Sequence, residues 1–114
     1  MRLSTVLASL ATLAVLWPGA VLTPAAAYDT IDCARDQNAA ERTICASQRL
    51  QVLDARVTEA YTDIMLDGGV RASIKQAVYD SQQNFLKRRD ACGRDAECLA
   101  EVMSLRATRI SYYR

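Results

Sequence analysis

The sequence predicts an all-α fold, a small disulfide-stapled helical hairpin with two short flanking helices. Three observations carry that expectation. Apolar residues recur at three- and four-residue steps, and no stretch alternates apolar and polar for long. The only two prolines, Pro18 and Pro24, lie near the start, so no proline interrupts a helix afterwards. Four cysteines stand in the segment 28–114, which is short enough to bury little core and so often needs covalent staples.

The opening segment, 1–27, reads as a secretory signal peptide and not as part of the fold. Arg2 is its only charge, Leu3 to Leu16 is nearly all apolar, Trp17-Pro18-Gly19 breaks the run, and Ala25-Ala26-Ala27 offers small residues for cleavage. The apolar stretch is shorter than the roughly 20 residues that cross a bilayer, so no stable membrane anchor is expected after processing. Cleavage before Tyr28 leaves no cysteine at the new terminus, which argues against a lipid anchor. The expected domain is 28–114, placed in the periplasm or outside the cell.

Within it the elements follow in order. Asn38 and Glu41 form a capping box that opens a short first helix through about Ala46. Ser47 caps a second, where Leu50, Leu53, Val57, Ala60 and Ile64 make an apolar stripe widened by Tyr61 and Met65. Gly68-Gly69 stops it. Ile74, Val78, Ser81, Phe85 and Cys92 trace a third helix ending near Gly93. Asp95 caps the last, with Cys98, Val102 and Leu105 as one apolar row and Leu99, Met103 and Ile110 as another. A glycine turn between the two long helices makes them antiparallel.

Four cysteines allow three pairings, and spacing alone does not choose among them. Geometry prefers Cys92–Cys98, which clamps the corner between the last two helices, and Cys33–Cys45, which ties the extended leader to the first helix. A four-cysteine zinc site is the rival reading, but its ligands usually come in closely spaced pairs, and an exported chain oxidises its thiols. A Cys-x-x-Cys redox pair is absent. Structural disulfides are expected, and no cofactor or metal.

Chemistry is sparse. The chain has no histidine, which removes the usual general base and the Ser-His and Cys-His nucleophile pairs. Glu59, Asp63 and Asp67 fall at four-residue steps opposite the apolar stripe of the second helix. The ordinary explanation is a solvated face, with Arg56 one turn away offsetting the repulsion. The functional explanation is an acidic docking strip for a cationic protein partner. Lys87 and Arg88 are expected to face solvent or the helix end, and Arg89 to pair with a carboxylate such as Asp90. Tyr112-Tyr113 is expected to cover the core.

Charge narrows the partners. Outside Arg2 the 13 acidic and remaining basic residues balance, which argues against nucleic acid. Eight acidic and four basic residues lie between Tyr28 and Gly69, whereas five acidic and nine basic ones lie beyond. The two halves should attract one another.

Asp32-Cys33, then Glu41-x-x-Ile44-Cys45-Ala46, Leu50 and Leu53-Asp54, resembles the opening of the LprI-like lysozyme-inhibitor domain. Gln82-Gln83-x-Phe85-Leu86-x-x-Arg89-Asp90-x-Cys92 with Cys98-Leu99 resembles its closing signature, and Tyr61 fits between the two. The resemblance spans essentially all of 28–114. Phe85 stands where the family usually has tryptophan, and Ala39 and Gln48 stand where proline is common. The resemblance implies an exported helical domain, lysozyme inhibition being described for some members, and its matched positions look like framework. Two functions follow as expectations: a non-catalytic binder of lysozyme or another cell-wall hydrolase, or a structural adaptor binding another envelope protein. An enzyme using paired carboxylates is a third and poorer fit.

Overall fold

The computed structural model describes residues 30–35 and 37–113, so the signal peptide expected at 1–27 lies outside the described residues. Four helices follow in order: α1 (Ala39–Cys45), α2 (Gln48–Leu66), α3 (Ala72–Ala91) and α4 (Ala96–Ile110), with a 3-10 turn at Ser111–Tyr113. No strand occurs among the described residues.

The helix starts are local chemistry. Asn38 Oδ1 accepts from the Glu41 N–H at 2.8 Å while Glu41 Oε1 accepts from the Asn38 N–H at 3.3 Å, closing the expected capping box. Ser47 Oγ accepts from the Leu50 N–H at 3.3 Å, and Asp95 Oδ1 from the Cys98 N–H at 3.1 Å. Each satisfies an amide that has no partner within its helix. α3 starts at Arg71 without a side-chain cap.

The helix ends differ from one another. After α3, Gly93 takes φ +56°, the left-handed conformation that glycine adopts without a side-chain penalty. After α2 the break comes at Asp67, which is extended (φ −74°, ψ 113°), and neither Gly68 nor Gly69 has positive φ. Asp67 Oδ1 accepts from the Gly69 N–H at 2.8 Å, a side-chain turn that needs a close, unobstructed backbone. The stop therefore belongs to the aspartate as much as to the glycines behind it.

Packing centres on α4. It lies along α2 over the most extensive interface in the molecule and along α3 over the next, whereas α2 and α3, joined by the glycine turn, touch each other little. α1 rests mainly on α2. Tyr61, Phe85, Ile44, Leu50, Ile64, Leu99, Met103 and Ile110 are the largest fully enclosed side chains. On α4 the row of Leu99, Met103 and Ile110 forms the core, while Leu105 of the other row is 49% exposed. The expectation for the tyrosines divides: Tyr113 packs against the core, but Tyr112 is 79% exposed, because a tight 3-10 turn points consecutive side chains in different directions.

Both disulfides pair as geometry preferred. Cys33–Cys45 has its Cα atoms 5.7 Å apart and Cys92–Cys98 5.6 Å apart. The four sulfurs are thus joined to one another, and the zinc alternative falls.

Candidate functional site: the outer face of α2

The apolar row of α2 puts Leu50, Asp54, Val57, Tyr61 and Ile64 inside. Helical geometry then turns Glu59 and Asp63 to the opposite side, where both are exposed. Asp67 is exposed too, but it sits just beyond the last helical residue and commits one carboxylate oxygen to the Gly69 amide. The strip is therefore two carboxylates on the helix face with a third in the turn. Val52 and Leu66 share that face, 46% and 69% exposed, so an apolar side chain flanks the acidic pair at either end. Sequence reasoning missed both, because only the inward stripe was sought. Their signal is an apolar residue half a turn away from the stripe.

Inside, among the described residues, the buried polar or charged side chains are Asp54, Gln82, Arg89 and Arg106. Asp54 Oδ2 accepts from the Ile31 N–H at 3.1 Å and so holds the leader against α2, close to where Cys33–Cys45 ties it to α1. Burial pushes the Asp54 carboxyl above its ordinary value; the hydrogen bond from Ile31 and the charge of Arg89 oppose that shift, and Glu41 adds to it. Arg89 donates from Nε and Nη2 to Asp90 Oδ1 at 3.0 and 2.9 Å, the pairing expected of it. Lys87 and Arg88 are exposed.

Arg106 donates from Nε to Gln82 Oε1 at 2.8 Å and from Nη2 to the Val78 carbonyl at 3.4 Å, with its guanidinium 5.9 Å from the centre of the Phe85 ring. These contacts lock α4 onto α3. Asp54, Arg89, Asp90 and the cysteines, which carry the sequence likeness, do structural work: they hold the leader and stabilise the end of α3.

Fold and surface together define a small, disulfide-stapled, all-helical domain whose polar signature residues serve its framework and whose α2 presents Glu59 and Asp63 to solvent. The family model for the lysozyme inhibitor LprI matches residues 32–111, and the chain belongs to that family. Neither the curated proteins nor the solved structures include a match. No helix among the described residues is long and apolar enough to cross a membrane.

Proposed function

We propose that this protein is an exported, non-catalytic inhibitor that binds lysozyme or another cell-wall hydrolase through the outer face of α2. The family's inhibitors supply the class of activity. The observation that carries the choice of surface is the pairing of Glu59 and Asp63 with the exposed Leu66 and Val52 on one helical face. Carboxylates steer a cationic enzyme into encounter, and a large apolar side chain beside them offers area to bury on contact. Asp67 extends the charge into the turn. Two disulfides and the signal-like order of residues 1–27 support an oxidising compartment, the periplasm or the exterior.

The decisive experiment is lysozyme turnover with a molar excess of the oxidised protein at low ionic strength. Inhibition that weakens with added salt and is lost in the Glu59→Lys/Asp63→Lys variant supports the proposal. Unchanged turnover at low salt overturns it. Inhibition that survives the charge reversal removes the strip from the binding surface.

A further inference from the structure

A groove of about 430 Å³ lies along α4 beside the end of α3, shares no residue with α2, and is lined by Arg88, Glu101, Val102, Leu105, Arg106 and Arg109. Val102 and Arg106, and likewise Leu105 and Arg109, are four residues apart on α4 and so line neighbouring rows of one side, and Arg88 comes from the last turn of α3. Three guanidinium groups and one carboxylate therefore share a single concavity. Among the described residues, none of the three arginines is in ion-pair contact with a carboxylate.

Arg106 makes the arrangement unusual. It is only 4% exposed, and the groups that hold it are the Gln82 side chain, the Val78 carbonyl and the Tyr113 hydroxyl, none of them a carboxylate. Burial lowers its pKa, Tyr113 opposes that shift, and the nearby charge of Arg88 adds to it, with Tyr61 on the side of Tyr113. A buried cation beside a second cation is unfavourable until an anion arrives. The excess of two positive charges in one groove matches a single dianion better than a monoanion, and guanidinium groups fit the oxygens of a phosphate by paired hydrogen bonds. Val102 and the half-exposed Leu105 offer apolar surface next to those charges.

We propose that this groove is a binding site for a phosphate monoester carried on an apolar stem. Arg88 and Arg109 donate to the phosphate oxygens from the exposed rim, Arg106 supplies fixed charge at the floor, and the stem lies on Val102 and Leu105. Glu101 limits affinity by facing the same anion. The site is independent of the α2 surface and stands whether or not a hydrolase is inhibited.

Nuclear magnetic resonance titration of the oxidised protein tests it, following the Arg106 Nε–Hε and Leu105 methyl signals. Hexyl phosphate should shift both saturably and bind about tenfold more tightly than inorganic phosphate, the gain expected from burying part of the stem. Arg88→Gln and Arg109→Gln, both at exposed positions, should each weaken hexyl phosphate several-fold with the rest of the spectrum unchanged. Glu101→Gln should tighten it, a gain that damage to the fold does not produce. Equal binding of inorganic and hexyl phosphate means an adventitious ion only and overturns the proposal. So does hexanoate binding as tightly as hexyl phosphate, an acidic peptide displacing it at lower concentration, or the absence of any saturable shift.

Discussion

Nε of Arg106 on α4 and Oε1 of Gln82 on α3 meet at 2.8 Å, in a core that encloses both side chains almost completely. Removing either partner leaves the other short of a buried hydrogen bond. Arg106→Met or Gln82→Leu alone should cost about 2–3 kcal/mol, because a buried polar group then loses a partner. The double variant should recover a large part of that loss, since two well-packed apolar side chains leave nothing unsatisfied. Urea denaturation of the four proteins measures the coupling, and strictly additive losses would contradict it.

Asp54 sets a pH dependence. Its carboxyl is raised above 3.8 in the folded protein, so the folded state holds its proton more tightly than the unfolded chain does. Its contribution to stability is therefore full below about pH 3.8 and declines as pH rises through the folded value. Asp54→Asn keeps an acceptor for the Ile31 N–H without the buried charge. That variant should be relatively more stable at pH 7 than at pH 3 when each is compared with the parent at the same pH. Thermal melts at the two values decide it.

Gly93 should resist substitution although space surrounds it. No atom lies within 4 Å of an added Cβ, so the penalty for Gly93→Ala is conformational, about 1 kcal/mol at φ +56°. Gly68→Ala meets neither a neighbour nor a positive φ and should be neutral or stabilising by up to about 1 kcal/mol. The ordering of their melting temperatures tests the contrast.

Loss of the disulfides should weaken the two ends unequally. Cys33 and Cys45 are separated by 12 positions and Cys92 and Cys98 by 6, for which loop entropy gives about 3 and about 2 kcal/mol. Cys33→Ser/Cys45→Ser should also free the leader, so that the Ile31 amide exchanges faster with solvent. An Ile31 amide as protected as before would show that Asp54 holds the leader unaided.

Much of the architecture was legible in the residues themselves. Asn38, Glu41, Ser47 and Asp95 announced the helix starts because capping depends on a few neighbouring atoms. The cysteines announced their pairing through the elements that carry them, Cys92 and Cys98 at one helix corner and Cys33 in the leader beside the helix of Cys45. The buried polar residues were less visible, since a search for apolar periodicity passes over them. Yet their signal is present: Leu50, Asp54, Val57, Tyr61 and Ile64 repeat at steps of four and three, as do Val78, Gln82, Phe85 and Arg89, and Leu99, Met103, Arg106 and Ile110. Each row contains polar members that periodicity places inside. The groove of arginines was beyond reach, because it depends on which side of α4 meets α3. The acidic residues were found, but the apolar pair beside them was not.

Because α4 supplies the main seat for α2, the enclosing contacts join segments far apart in the chain. A growing polypeptide that stops before Ala96 has nowhere to hide Val57, Tyr61 and Ile64. Such connectivity delays collapse until synthesis is nearly complete. Late closure of this kind would serve the export proposed above, in which a chain crosses a membrane unfolded and acquires its shape on arrival.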